Sequence, residues 1–324
     1  MSFIRHAFQT MHPAMQMVML ACITLSMLAA AAVVGVLWVT GGNVEGMMAM
    51  ASPEVLMDRA NILVLNNANQ LVGFLAGAWL FAALVGRSHL GGFFMKRPNG
   101  IMWLWAAVVA VCASPLLDLT YRINEWALVP GSSLHAWAGS LEAQAAVLTQ
   151  RILTFSSPVE GVAVLFSVAL LPALCEEWLF RGALQPVMVR ATGQVHLGIW
   201  LTAAIFSAIH MQFFGFLPRM ILGALFGYLV VYSGSIWPAI LGHFINNAGV
   251  VVTAWVMGPE WLETGLEPQP LSTWAWFDWA WAIAGIGVLL SVMKHLGSTR
   301  RSNIHDYRVA LDSSSSLGGS MRPS

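Results

Sequence analysis

Residues 172–184 read Pro-Ala-Leu-Cys-Glu-Glu-Trp-Leu-Phe-Arg-Gly-Ala-Leu. Two adjacent acids, Glu176 and Glu177, and one base, Arg181, stand inside a run that is otherwise almost wholly apolar from Gly161 to Leu184. At bilayer depth each charged side chain costs about 2.5–3.5 kcal/mol, so three together cost about 7–10 kcal/mol before any pairing. Packing alone does not need such residues. Other groups in the chain must answer them.

Composition gives the setting. Of 324 residues, 58% are hydrophobic and 9% are charged, with a mean hydropathy of +0.71. A soluble domain carries about 25% charge. The chain therefore reads as an all-α polytopic membrane protein. Its net charge of zero carries no electrostatic signature of nucleic acid, which is excluded as a partner. Cys22, Cys112 and Cys175 all lie in apolar runs without CxxC spacing, which points to packing rather than a disulfide framework.

Working outward, hydropathy predicts about eight transmembrane helices. They cover about Ala14–Thr40, Asn61–Gly86, Ile101–Leu119, Val159–Leu184 running on toward Val189, His196–Phe216, Met220–Tyr232, Ile236–Met257 and Trp274–Leu296. The first is too long for the core of a signal peptide. Pro115 breaks the third, and Pro218 with Arg219 marks a tight turn into the sixth. Residues 138–153 fit an amphipathic surface helix. This divides the chain into an N-terminal part (1–158), a core (159–257), a last transmembrane helix (258–296) and a disordered cytoplasmic tail (297–324) rich in serine and arginine.

Loop charge orients the chain. Arg87, Lys96 and Arg97, the basic 185–195 loop and the basic tail fall on one side, and Glu45, Glu54, Asp58, Glu260, Glu263 and Glu267 on the other. The positive-inside rule places both termini in the cytoplasm, with Arg219 as the dissenting charge.

Three later positions interrupt the apolar pattern as the acid pair does: His210 in the fifth span, and His243 with Asn247 in the seventh. Residues four apart share a helix face, so Glu177 can pair with Arg181, and His243 and Asn247 project into the same space. At about 1.5 Å per residue, Glu177 lies about 18–20 Å from Arg190, His210 about 21 Å from His196, and His243 about 12 Å from Ser235. The heights agree, so one buried polar site between helices 4, 5 and 7 is geometrically allowed. Such groups suit water activation. A carboxylate beside a histidine can serve as general base, and a second histidine with an amide can stabilise an oxyanion. Two histidines and a carboxylate (Glu176, His210, His243) can instead ligate a divalent metal such as zinc. There is no HExxH, and asparagine is a poor zinc ligand, so the residue types admit both a metal-free and a metal-assisted route.

In this order, Glu176-Glu177-x-x-x-Arg181, Phe206-x-x-x-His210 and His243-x-x-x-Asn247 resemble the three motifs of the CPBP family. This is also known as the Abi or type II CAAX-prenyl-endopeptidase (Rce1-like) family of intramembrane proteases. The Gly223–Gly227 helix and the Ser233-Gly234-Ser235 turn are similar to it too, and the likeness covers about Val159–Val252. The resemblance implies an eight-helix endopeptidase whose site opens to the cytoplasm. Glu176 would be the water-activating base and His210 its partner. His243 and Asn247 would form the oxyanion side, and Glu177 and Arg181 would support the first acid. The family name says metalloprotease, while a metal-free glutamate mechanism is also proposed for it. The substrate would be a membrane protein or a lipidated, CAAX-like peptide, and the site of action a bacterial inner membrane. The contrasting expectation is a non-catalytic membrane protein, a bacteriocin-immunity scaffold or an ion or proton relay.

Overall fold

The computed structural model describes residues 2–50, 52–86, 95–258, 261 and 271–316. Arg87, Glu260, Glu263 and Glu267 lie outside the described residues. The described chain is helical: α1 (Ser2–Thr10), α2 (Pro13–Val39), α3 (Arg59–Val85), α4 (Gly100–Ala127), α5 (Ser133–Leu153), α6 (Pro158–Thr192), α7 (Val195–Ala208), α8 (Phe216–Ser233), α9 (Trp237–Met257), α10 (Trp276–Thr299) and α11 (Arg301–Ser316), with short helical turns between α2 and α3. Among the described residues there is no strand. The sequence sets the ends of these helices. Asp58 accepts from the Asn61 N–H at the start of α3, Ser132 from that of His135 and Ser157 from that of Glu160, while Pro13 and Pro158 occupy first helical positions. Gly193 (φ 67°) and Gly234 (φ 64°) close α6 and α8 in the left-handed conformation.

Among the described residues seven helices are long and apolar enough to cross a membrane: α2, α3, α4, α6, α8, α9 and α10. The polytopic all-α fold stands, but the expected fifth span is shorter than the sequence suggests. Helix α7 has 14 residues, about 21 Å of rise against a hydrocarbon core of about 30 Å. It stops at Ala208, and Met211 takes a positive φ of 55° in the turn beyond. Pro115 does not break α4, which runs on to Ala127. Instead Gly285 of α10 lies against the proline ring, where an added Cβ would meet Pro115 Cγ at 2.9 Å. Pro218 and Arg219 sit in the first turn of α8.

The expected disordered tail (297–324) is also corrected over residues 297–316, while 317–324 lie outside the described residues. Residues 297–299 continue α10, and α11 folds back on the bundle with Tyr307 and Leu311 buried. Asn303 Nδ2 donates to the Tyr232 carbonyl (2.7 Å), and Gln185 Nε2 to the Tyr307 hydroxyl (3.4 Å). Two apolar anchors and two hydrogen bonds hold a segment whose average composition reads as disorder. Burial also pushes the Tyr307 hydroxyl pKa above the usual tyrosine range.

Helix α6 runs through the centre, against α3, α9 and, near its C-terminal end, α2 and α11. Helix α8 packs on α4, α7 and α9. Gly223 and Gly227 permit this approach: a Cβ at Gly227 would meet Gln185 Oε1 at 2.7 Å and Ile199 Cγ2 at 2.9 Å. Two stretches of α6, Phe166–Leu170 and Trp178–Leu184, are widened π turns; Leu171 and Gln185 bond five residues back, to the Phe166 and Phe180 carbonyls.

Contacts tie the molecule together at two opposite ends. At one, Arg190 donates to Gln16 Oε1 (2.6 Å) and Ser235 Oγ to the Lys96 carbonyl (2.7 Å). At the other, Arg59 pairs with Glu160 (2.7 Å), Asn124 donates to the Phe213 and Phe214 carbonyls, and α5 lies across the α7–α8 turn through Trp137–Phe213 and His135–Phe214 ring contacts.

Candidate functional site

The first π turn of α6 prepares the site. Its Ser167 and Val168 carbonyls accept from outside the helix, from Asn66 Nδ2 of α3 (2.8 Å) and Asn247 Nδ2 of α9 (3.2 Å). The Ser167 hydroxyl accepts from Asn67 Nδ2 (3.1 Å). Helix α6 is thereby pinned between α3 and α9 just before its acids.

Glu177 and Arg181 are wholly buried, and the predicted pairing forms at 2.7 Å between Arg181 Nη1 and Glu177 Oε1. Arg181 Nη2 donates to the Gly223 carbonyl (2.8 Å), and its guanidinium lies 4.8 Å from the Phe206 ring centre. A Cβ at Gly223 would stand 3.2 Å from that Nη2. The glycine of α8 thus gives Arg181 both an acceptor and room.

Glu177 Oε1 has a second neighbour, His243 Nδ1 at 2.9 Å. A carboxylate only accepts, so Nδ1 carries a proton and Nε2 points away, to within 3.9 Å of Glu176 Oε2. The imidazole is held by Phe226 stacked at 5.8 Å and Phe206 edge-on at 6.0 Å. The other oxygen of Glu176 accepts from Gln70 Nε2 (2.8 Å). His210 follows the same logic: Nδ1 lies 2.7 Å from the Phe206 carbonyl, so Nδ1 donates and Nε2 keeps its lone pair.

Glu176, His210, His243 and Asn247 line one cavity of about 510 Å³, with Gln70, Asn246 and Arg219 on its walls. Of the six residues singled out from the sequence, four line the space and two, Glu177 and Arg181, stand behind His243 as a buried ion pair. One amide hydrogen of Asn247 is engaged by Val168 O, leaving the second for the cavity. Asn246 donates to Asn247 Oδ1 (3.1 Å).

Gln70 escaped the sequence reading. Its signal was the polar run Asn66, Asn67, Asn69, Gln70, which blurs the start of a span when read by hydropathy alone. Arg219 is another: outwardly a loop charge, it is half-buried and held by Gln212, with Nη2 to Oε1 at 2.9 Å.

The expected metal ligands do not fit a metal centre. Among the described residues no group of three His, Cys, Asp or Glu side chains gathers so as to hold an ion. Glu176 instead uses one oxygen on Gln70 and turns the other to His243. All three cysteines are free, Cys175 being buried beside the acids. The cavity, moreover, leads from mid-bundle toward Thr149 and Leu153 of α5, away from the end that holds Arg190 and the termini.

Fold and cavity together define an all-α polytopic membrane protein with a buried carboxylate–histidine cluster. Residues 158–249 match the family described as Type II CAAX prenyl endopeptidase Rce1-like, and α6 to α8, the first part of α9 and all six site residues lie within that match. The chain is also similar to the Bacillus subtilis (strain 168) protein described as "Uncharacterized protein YpbD", at 31% identity over 85 residues. That likeness takes in 25% of this chain and spans 40% of the relative's length. No solved structure matches the chain.

Proposed function

We propose that the protein is an intramembrane endopeptidase that hydrolyses a peptide bond of a membrane-associated or lipidated, CAAX-like protein or peptide. Support comes above all from one observation: one acid and two histidines from three segments line a single cavity, with a second acid behind one of the histidines, within a match to an endopeptidase family. Groups this costly to bury are uncommon without a task.

In the proposed reaction a water lies between Glu176 and His210. The Glu176 carboxylate takes its proton, with the His210 Nε2 lone pair as the alternative acceptor. The hydroxide oxygen adds to the carbonyl carbon. The resulting oxyanion accepts hydrogen bonds from the second amide hydrogen of Asn247 and, when the ring carries both protons, from His243 Nε2. The C–N bond then breaks as the proton passes from Glu176 to the departing amine. Glu177 holds His243 by Nδ1, Arg181 holds Glu177, and Gln70 orients Glu176. The steps run on side chains alone. The same proposal places the chain in a bacterial inner membrane with both termini in the cytoplasm.

The test is Glu176→Gln, purified in detergent and assayed on membrane-peptide libraries. Cleavage falls about 10²–10⁴-fold, the range for loss of a general base, while the thermal unfolding midpoint stays. A Glu176→Gln variant that cleaves at the full rate rejects Glu176 as the base, and a parent chain that cleaves no peptide rejects the peptidase and leaves the relay reading in possession of the cluster.

A further inference from the structure

We infer that Arg219 is a subsite for a carboxylate carried by the substrate, so that the peptide taken by the cavity is apolar apart from one acid group. The word substrate rests on the peptidase reading; the binding of a carboxylate does not.

Three observations carry it. The first is a charge without a counter-ion. Arg59, Arg122 and Arg181 each pair with a glutamate at 2.7–2.8 Å. Arg219 is half-buried too, yet among the described residues it makes no ion pair. A base withdrawn from water keeps its desolvation cost until an anion answers it. Glu142 of α5 comes near but is kept from contact by an amide: Gln212 Nε2 lies 3.5 Å from Glu142 Oε1, while Gln212 Oε1 accepts from Arg219 Nη2 at 2.9 Å.

The second is a guanidinium fixed in place with donors to spare. Nη1 donates to the Gln212 carbonyl (3.4 Å) and Nη2 to its side chain, so one residue holds both terminal nitrogens. Gly215 leaves the room, since a Cβ there would meet Nη2 at 3.0 Å. Two of the five N–H groups are thereby used. Nε has no protein partner and, unlike Nε of Arg122 and Arg181, is not closed off within the protein. The open edge of the fork has the shape that receives both oxygens of a carboxylate.

The third is where Arg219 stands. With Leu222 and Phe226 it lines the cavity from one face of α8. Seven residues put it about 10 Å along the axis from Phe226, whose ring stacks on His243. A carboxylate on Arg219 therefore stands clear of Glu176, which would repel it. The chain between lies against Leu222, Val250 and Val251. Such a group has two sources in a peptide, its free end or an aspartate or glutamate side chain, and Arg219 reads the chemistry they share.

The experiment is a fluorescence titration of the Glu176→Gln chain in detergent, so that binding is read without turnover. Three dansyl-labelled hexapeptides of leucine and alanine serve as probes: one ends in a carboxylate, one in a carboxamide, and one in a carboxamide with a single internal glutamate. A carboxylate probe binds about 10–150-fold more tightly than the uncharged one, the range for a hydrogen bond to a charged group. Preference for the first probe names the chain end, and for the third an acidic side chain. Adding Arg219→Gln removes the difference, and Arg219→Lys, which keeps the charge and loses the fork, retains part of it. Equal affinity for all three probes overturns the inference. So does a ratio that survives Arg219→Gln, for then the arginine only braces the turn through Gln212. Should Arg219→Gln fail to fold, an undiminished ratio in Arg219→Lys overturns it instead. If the parent chain cleaves no peptide while the ratio holds, the peptidase reading fails and the carboxylate subsite stands.

Discussion

Arg181→Met removes the guanidinium that holds Glu177 and leaves a wholly buried carboxylate with His243 Nδ1 as its remaining partner. Breaking a buried pair in this way costs about 3–5 kcal/mol, because the stranded charge keeps its desolvation penalty. The change also removes the 2.8 Å bond to the Gly223 carbonyl and the packing on Phe206, both in the same direction. Glu177→Gln with Arg181→Met takes the stranded charge away, while the amide oxygen still accepts from His243. That double variant recovers about 2 kcal/mol or more of the loss, a coupling within the range for directly interacting residues. Equilibrium unfolding in mixed micelles, followed by tryptophan fluorescence, measures both. A single variant that loses less than about 1 kcal/mol, or a double variant no more stable than the single, refutes the role assigned to the pair. Cleavage should separate the two properties, since the double variant regains stability while His243 has lost the charged acceptor that fixes its orientation.

Gln70→Leu deletes the donor to Glu176 and lowers stability by about 1.5–3 kcal/mol, as for a hydrogen bond to a charged group; Gln70→Glu, read by the same unfolding assay, loses more, since it sets a second acid against Glu176. Gly227→Ala presses a methyl group onto Gln185 and Ile199 and costs about 1–3 kcal/mol by overpacking, whereas Gly249→Ala, which meets nothing within 4 Å, is silent in the same thermal scan. Treatment with 1,10-phenanthroline or EDTA leaves the cleavage rate within about twofold, because no three His, Cys, Asp or Glu side chains among the described residues gather so as to hold an ion; a loss restored by added zinc contradicts the donor geometry.

Hydropathy found the long spans because each is a nearly unbroken apolar run. Helices α2, α3, α6, α9 and α10 begin and end within a few residues of the expected limits, apart from the C-terminal extension of α6 to Thr192. It missed the end of α7, because Ile209 to Phe216 stays apolar enough to read as more helix while the backbone turns at Met211. Pro115 misled in the opposite sense, since a proline stops a helix only if its surroundings leave the freed carbonyl and the ring unaccommodated. The contact between Glu177 and Arg181 was legible because it lies within one helix at a spacing of four. The contacts of Glu177 with His243 and of Glu176 with Gln70 join helices far apart in the chain, and no local periodicity encodes them. The direction in which the cavity leads was likewise invisible until α5 was seen at one end and α11 at the other.

The wide turns of α6 give the segment a tolerance in chain length. Each accommodates one residue more than an ordinary helix would hold over the same rise, so losing one residue from Phe166–Leu170 would close the turn into regular α-helix and leave Glu176 and Glu177 facing the same neighbours. What would go is the freedom of the Ser167 and Val168 carbonyls to accept from Asn66 and Asn247, the struts that hold α6 between α3 and α9. Such a deletion would loosen the frame while the acids kept their direction.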